Sequence, residues 1–328
     1  MKNSTNSIVL IGGGQLGSRH LQGLANIDIP VSITVVDPSE ISLKTARERY
    51  AQIAENPNIK EIKFSHCISD LFDRIDLAIV ATGADVRADV VSSLVQQYSV
   101  RNLLLEKFLF QKESDFERIA GLLDRRQVNA TVNCPRRLFP FYRQLKDALS
   151  SEDVISFSVA GSNWGMGCNA IHFLDLFAFL SGSSKVEVSG VSLDERILGS
   201  KRPGFVEFTG MIAGSSPRGD SFSISSLNEP DVPLKISIKT NSQLIEIDES
   251  AGKAFFYDEL TSIKRQESFV LPYQSQMTGT VARDTLLSGV SGLTCYLESA
   301  RLHIPVLSAF LTHLNRVSEK HYDHCPIT

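Results

Sequence analysis

The sequence predicts an α/β protein with two architectures in series: a doubly wound parallel sheet, then an α/β domain built on an open, mainly antiparallel sheet. Three observations carry this. Apolar, β-branched runs alternate with helical spacings over the first 135 residues, and a glycine-rich turn joins the first such run to the first helix. From Val154 onward, short strand-like runs instead follow one another with little between them but Gly, Ser, Pro and Asp. Apolar strands separated by helices belong in a parallel sheet covered on both faces, whereas consecutive short strands belong in an antiparallel one. The expected domains are therefore 1–135 and 136–328, with the last helix packing back on the first domain.

Residues 7–11 are β-rich, 15–26 carry helical spacing and 31–36 are β-branched, which makes one βαβ unit. Ser39 is placed to cap a helix whose stripe is Leu43, Ala46, Tyr50 and Ile53, followed by a short strand at 62–64. Residues 76–81 (DLAIVA) read as a buried strand, then a helix with Val90, Leu94 and Tyr98 on one face, then a strand at 102–105. Ser114 and Glu117 form a capping-box pattern ahead of the stripe Phe116, Ile119, Ala120 and Leu123, and 127–132 closes the series. The second domain shows strand runs at 155–160, 186–191, 205–211, 221–225, 234–239, 243–247, 254–257 and 268–271. A helix near 168–180 interrupts them, and a terminal stripe of Leu297, Ala300, Ile304, Leu307, Leu311 and Leu314 contains Pro305.

At 328 residues the chain is long enough for two cores, and 42% hydrophobic with 21% charged residues excludes a disordered or collagenous chain. A formal charge of -4 lacks the basic excess of a phosphate-backbone binder, so nucleic acid is not expected as a partner. No window approaches the ~18 apolar residues of a membrane span, and the polar start followed by five apolar residues and glycines reads as a strand and no signal peptide. Five cysteines, scattered and without a CxxC, fit free thiols in the cytoplasm. The tail HYDHC at 321–325 reads as frayed side chains, and no metal is expected.

Gly12, Gly14 and Gly17 form G-x-G-x-x-G between the first strand and first helix, and Asp37 stands at the end of the second strand, about twenty residues beyond. Such glycines let a pyrophosphate approach the backbone, with helix N–H groups holding the anion; this is the dinucleotide-binding, Rossmann arrangement. A carboxylate at Asp37 accepts ribose hydroxyls and repels a 2′-phosphate, which favours NAD over NADP, although Asp37 with Pro38 also starts a turn, and Arg19 and Lys44 remain available for a 2′-phosphate.

Glu106 and Lys107 follow the apolar strand 102–105, at the edge where ligands bind in doubly wound sheets. A lysine there can stabilise developing alkoxide charge, or simply mark where the strand meets water. His172 and Asp175, with Cys168 one turn before, share one side of an apolar helix, so they need buried partners. A histidine so placed can exchange a substrate hydroxyl proton; for a lone histidine, pairing with its own Asp175 is the favoured alternative. Arg136 and Arg137 offer an anion site, or ordinary solvation of a helix start.

Together these segments resemble the glucose-fructose oxidoreductase, inositol 2-dehydrogenase and rhizopine-catabolism (Gfo/Idh/MocA) family: GGGQLGSRH at 12–20, VVD at 35–37, VATGADVRADVV at 80–91, LLLEK at 103–107, NCPRRLFPFYRQLK at 133–146, NAIHFLDL at 169–176 and the closing GLTCYLESARLHIPVLSAFL. The resemblance implies an NAD(P)-dependent oxidoreductase acting on a secondary alcohol or ketone of a sugar, nucleotide sugar or polyol. It makes Lys107 and His172 catalytic. It assigns cofactor contacts to Gly12, Gly14, Gln15, Leu16, Gly17, Asp37, Thr82, Glu106 and Lys107, and substrate contacts to Arg136, Arg137, Trp164, Asn169 and His172. A homodimer or homotetramer through the second domain's sheet is also implied. Three positions depart from the family pattern: Phe108 replaces the proline of E-K-P, Cys168 replaces an aspartate four residues before the histidine, and Arg87 replaces a histidine. These departures leave a second expectation open, a dinucleotide-binding sensor or accessory subunit without turnover.

Overall fold

A computed structural model describes residues 5–71, 74–149 and 154–328, which fall into two compact units discontinuous in sequence. The first holds the residues through Leu109 with Glu117–Asn133 and Pro272–Tyr296; the second holds Phe110–Phe116, Cys134–Leu271 and Leu297–Thr328. The chain enters the longest stretch of the second unit at Cys134. The chain, however, returns to the first unit between 272 and 296, and its last helix belongs to the second.

The chain begins β1 (Asn6–Ile11), α1 (Gly17–Leu24), β2 (Val31–Val36), α2 (Glu40–Tyr50), β3 (Ile59–Ser65), β4 (Arg74–Val80), α3 (Ala84–Gln97), β5 (Ser99–Leu105), α4 (Glu113–Arg125) and β6 (Asn129–Val132). Ser39 caps α2, its Oγ accepting from the Ser42 N–H at 3.4 Å, and Leu43 and Ala46 are buried. The inner stripe of α3 is Ala84, Arg87, Ala88, Val91, Leu94 and Val95, one position off the expected Val90 face. The Ser114 capping box does not form, because α4 already begins at Glu113, whose carboxylate suits the positive end of the helix.

Next come α5 (Pro140–Ala148), β7 (Ser156–Ser162), α6 (Met166–Ser181), β8 (Glu187–Leu193), β9 (Leu198–Gly199), β10 (Val206–Glu207), β11 (Gly210–Ser215), β12 (Ser221–Leu227), β13 (Lys235–Lys239), β14 (Gln243–Asp248), β15 (Lys253–Asp258), β16 (Lys264–Ser268), α7 (Gln274–Ser288), β17 (Thr294–Cys295) and α8 (Tyr296–Val317). The expected strand 205–211 is split into β10 and β11, with Gly210 at φ 105° where the second begins. The strand expected at 268–271 lies earlier, as β16, because Phe269 leaves the sheet to stack on Phe141 with ring centroids 4.1 Å apart. The sequence reading missed α7, whose buried face mixes Met277, Val281, Ala282 and Leu286 with Thr278, Gly279 and Thr285 and so carries a weak apolar period.

In the first unit the strands lie in the order β17-β6-β5-β4-β1-β2-β3, all parallel except β17 on β6. The order reverses between β1 and β4, and such a switch point opens a crevice beyond the carboxyl ends of the strands. Helix α7 crosses α1 so closely that a Cβ on Gly279 would lie 2.6 Å from Gly23 O. In the second unit the order is β16-β15-β14-β13-β7-β12-β11-β8, antiparallel except for the β7–β12 pair. Period-2 alternation buries Phe157, Val159, Phe222, Ile224, Ile236, Ile238, Ile245 and Ile247, and Phe177 of α6 meets the Phe157 and Phe222 rings at 5.9 and 5.3 Å. Alternate positions on the other side are serines, among them Ser158, Ser223, Ser225 and Ser237, with Val191, Met211 and Phe255 exposed.

The tail read as frayed is instead packed within the second unit. Cys325 and Ile327 are fully buried, Cys325 N–H donates to Gln111 O at 3.0 Å, and Gln111 Nε2 donates to Ile327 O at 3.0 Å. All five cysteines are free thiols, and among the described residues no helix is long and apolar enough to cross a membrane.

Candidate functional site

In the first unit β1 ends at Ile11, and Gly12 N–H still donates to Val36 O at 2.8 Å before the chain leaves the sheet edge. Gly12 then turns with φ 96°, where a Cβ would stand 2.9 Å from the Ala81 carbonyl. A Cβ on Gly17 would fall 1.6 Å from Gly12 O, so only glycine lets α1 start against the turn. At Gly14 the nearest atom to an added Cβ is Ser42 Oγ at 3.9 Å, which leaves the outer side of the loop open. Ser18 N–H makes the first helical bond, to Gly14 O at 2.9 Å. The amides of Gly14, Gln15, Leu16 and Gly17 precede it, at the end of a helix where N–H groups attract anions.

Asp37 completes this cradle. Its Oδ2 accepts from Gly13 N–H and its Oδ1 from Ser39 N–H, both at 2.8 Å, so the carboxylate holds both the turn expected at Asp-Pro and the glycine loop. Arg19 donates to Gln22 at 2.8 Å, and Lys44 lies 3.8 Å from Glu48. A third basic group, Arg49 at the end of α2, binds the loop directly, donating to Gln15 O at 2.8 Å and Ser18 Oγ at 2.6 Å. Beyond β4, Thr82 Oγ1 is buried without a hydrogen-bond partner, a vacant polar position beside the cradle's Ala81 wall. Glycine cradle, helix amides, carboxylate and orphaned hydroxyl together fit a dinucleotide.

Glu106 and Lys107 stand where expected, at the carboxyl end of β5. Glu106 is buried and serves as an anchor: His20 Nε2 donates to its Oε1 at 2.8 Å, Asn133 Nδ2 at 2.5 Å, and Lys107 N–H donates to its Oε2 at 3.3 Å. Burial opposes its charge, but the bonds from His20 and Asn133 and the electrostatic influence of His20 and Lys107 outweigh it, and its pKa falls below the ordinary carboxylate value. His20 Nδ1 lies 3.0 Å from Thr278 Oγ1, and Asn133 also donates to Gln274 at 2.9 Å, so α7 closes the network from its far side. Lys107 is half-buried, and Phe108 follows it through a cis peptide bond and is fully buried.

In the second unit α6 starts at Gly165, a left-handed cap with φ 77°, and carries Cys168, His172 and Asp175 on successive turns of one face. His172 is half-buried. Asp175 is fully buried, its two oxygens each 2.9 Å from the Arg137 guanidinium, which also lies 3.5 Å from Glu298. Arg136 is likewise forked onto Glu249 at 2.9 and 2.7 Å, with Tyr142 Oη donating to Glu249 at 2.7 Å and the Phe173 ring 4.3 Å from the guanidinium carbon. Burial works against both guanidinium charges, yet Glu249 and Asp175 raise both pKa values; burial and Glu249 push the Tyr142 phenol well above its ordinary value. The arginines are thus neither solvated nor open forks: each holds a carboxylate. Trp164 Nε1 donates to Ser225 O at 2.8 Å, and Asn169 Nδ2 donates to the Trp164 and Gly165 carbonyls, both at 3.1 Å, which ties the loop to the helix start.

The sequence reading missed Glu207. Cys168 Sγ donates to its Oε1 at 2.5 Å, and Gly167 N–H donates to its Oε2 at 2.7 Å. The carboxylate absent from position 168 is therefore supplied by β10, one helical turn from His172. An acid inside the apolar run GFVEFTG was the signal available.

No family model matches the sequence, and no curated protein matches it. The fold has clear counterparts among solved structures. An oxidoreductase from Agrobacterium radiobacter in complex with NAD+, L-tartaric acid and magnesium is similar with a TM-score of 0.71 at 14% identity, over 95% of this chain and 97% of that one. A mutant 3-ketoreductase from Actinomadura kijaniata in complex with TDP-benzene and NADP gives 0.71 at 15% identity, over 94% and 98%. The transcriptional regulator Gal80p from Kluyveromyces lactis gives 0.70 at 14% identity, over 97% and 96%.

Proposed function

We propose that the chain is an NAD(P)-dependent oxidoreductase of the Gfo/Idh/MocA kind, transferring hydride between the nicotinamide and a secondary alcohol or ketone of a sugar, nucleotide sugar or polyol. The observation that carries this reading is the Gly12–Gly17 cradle held by Asp37, in one unit with the anchored Glu106–Lys107 pair. The shared fold with two enzymes solved with NAD+ or NADP supports it.

Bound NAD(P) supplies the hydride acceptor or donor. The helix amides of residues 14–17 would hold its pyrophosphate, and Asp37 would accept from its ribose, which favours NAD. In the oxidative direction the Lys107 ammonium donates a hydrogen bond to the substrate oxygen as negative charge develops, and His172 accepts the hydroxyl proton. Glu207 and Cys168 fix the start of the helix that carries His172. With Arg136 and Arg137 committed to carboxylates, and Trp164 Nε1 and Asn169 Nδ2 to backbone carbonyls, the proposed substrate contacts are the indole face of Trp164, Asn169 Oδ1 and the His172 ring. The enzyme works in the cytoplasm as a homodimer or homotetramer joined through the serine-rich sheet face of the second unit.

The decisive experiment pairs NADH titration with turnover on a panel of sugars, nucleotide sugars and polyols. Lys107→Ala or His172→Ala should lower turnover about a hundredfold or more with NADH affinity nearly unchanged. Retained turnover in the double variant would place the chemistry elsewhere. The fold shared with Gal80p supports a second reading, a dinucleotide-binding regulator; tight NADH binding with no turnover on any panel member would favour it.

A further inference from the structure

Arg87 lies in the first turns of α3, and its side chain is 1% exposed. A buried guanidinium brings a full charge and five N–H donors out of water, which is costly unless acceptors meet them. Here the acceptors are backbone carbonyls. Nη1 donates to Phe108 O and, at 3.0 Å, to Leu109 O, while Nη2 donates to Thr82 O. Thr82 belongs to the exit loop of β4, and Phe108 and Leu109 to the exit loop of β5, its parallel neighbour. One planar fork therefore ties together the two loops at the carboxyl edge of the sheet.

Lys107 directly precedes Phe108. On its other side its own N–H donates to Glu106, which His20 and Asn133 hold. We propose that Arg87 is a positioning residue: it fixes the backbone of Lys107 against the Thr82 loop, and so sets where the ammonium stands relative to the dinucleotide cradle. This rests on the reading of Lys107 as the group that meets the substrate oxygen. Lysine cannot replace the arginine, because an ammonium is a compact charge on a flexible stem and cannot span carbonyls of two loops in one plane. The demand for accuracy is high, since a misplacement of about 1 Å costs a reacting group about a hundredfold in rate.

The test uses the full chain as native protein, Arg87→Lys and Arg87→Ala, each exposed to N-acetoxysuccinimide with and without NADH across a pH series. Peptide mass spectrometry reads the acylation rate of every lysine. The Lys107 rate should change by about tenfold in both variants, equivalent to about one pKa unit, and lose its dependence on NADH. Lys44 and Lys146 should keep their native rates, a selectivity that general loosening of the fold would not produce. Guanidinium ion at millimolar concentration should return the Lys107 rate of Arg87→Ala toward native. A folded Arg87→Ala protein with unchanged Lys107 rate and pH profile overturns the proposal, as do two variants that both fail to fold, which would make Arg87 a core element only. Failure of native protein to bind NADH counts against the dinucleotide reading instead, while the NADH-free arm still decides the role of Arg87.

Discussion

The glycine cradle of the first unit and the charged side chains of the second are held in place in different ways. In the first, the cradle is local: Gly12, Gly13, Gly14 and Gly17 lie within six consecutive residues, and their partner Asp37 takes backbone amides from Gly13 and Ser39. In the second, both arginine candidates and the Cys168 thiol are held by carboxylates far along the chain. Arg136 meets Glu249 across 113 residues, Arg137 meets Asp175 across 38, and Cys168 meets Glu207 across 39. A side chain that bonds backbone is exchangeable one residue at a time, whereas a buried ion pair is not, because removing one partner strands the other.

The sharpest test of that contrast is stability. Asp175→Ala should cost about 3–5 kcal/mol in urea unfolding, since Arg137 is left charged and buried. Glu249→Ala should cost about 3 kcal/mol, at the lower end because the side chains of that pair are 15–18% exposed. NADH affinity should survive both; losing it would show that the two units are not energetically separate in the way the contrast requires.

Next in size is Cys168→Asp. With Glu207 already 2.5 Å from the thiol, a second carboxylate meets like charge, and the variant should lose about 1–3 kcal/mol at neutral pH. Part of that loss should be recovered toward pH 5 as the pair takes up a proton. Equal stability of Cys168→Asp and native protein at pH 7 would mean that Glu207 is not the carboxylate of this position.

Glu106 gives a pH signature for the first unit. Its folded pKa lies below the unfolded value of about 4.3, so its contribution to stability is complete above that pH and is lost as pH falls through the folded value. Glu106→Gln should flatten the acid limb of the stability–pH curve below about pH 4, a difference that thermal melts would read. An unchanged acid limb would remove the carboxylate from the account.

The smallest effect is expected at Asp37. Asp37→Ala should weaken NADH binding by about tenfold, through lost ribose bonds and a loosened Gly13 turn, while NADPH is affected less. A native protein that prefers NADPH in the same titration would reverse the assignment.

The difference between the units also explains what could be read in advance. β-branched runs such as 31–36, the capping Ser39 and strand runs such as 221–225 are short-range patterns, and each formed as its spacing required. So did G-x-G-x-x-G, because a positive φ and a forbidden Cβ depend on the backbone itself. By contrast, α7 went unseen because its packing relies on Gly23 and Gly279 approaching as backbone, which leaves little hydrophobic period to find. Arg136 and Arg137 left an anion site and helix-start solvation both open, because a guanidinium carries no local mark of whether its fork is already taken.

By itself, then, the sequence determined the order of strands and helices over the first 135 residues, the glycine cradle with Asp37, and the placing of Lys107 beyond a buried strand, all consequences of dihedral limits and local periodicity. Only the tertiary structure decided who partners whom: Glu207 for Cys168, Glu249 and Asp175 for the two arginines, and the Thr82, Phe108 and Leu109 carbonyls for Arg87. Those choices are made by desolvation, which obliges each buried charge to find an acceptor wherever the fold brings one within 3 Å, and sequence distance has no part in that requirement.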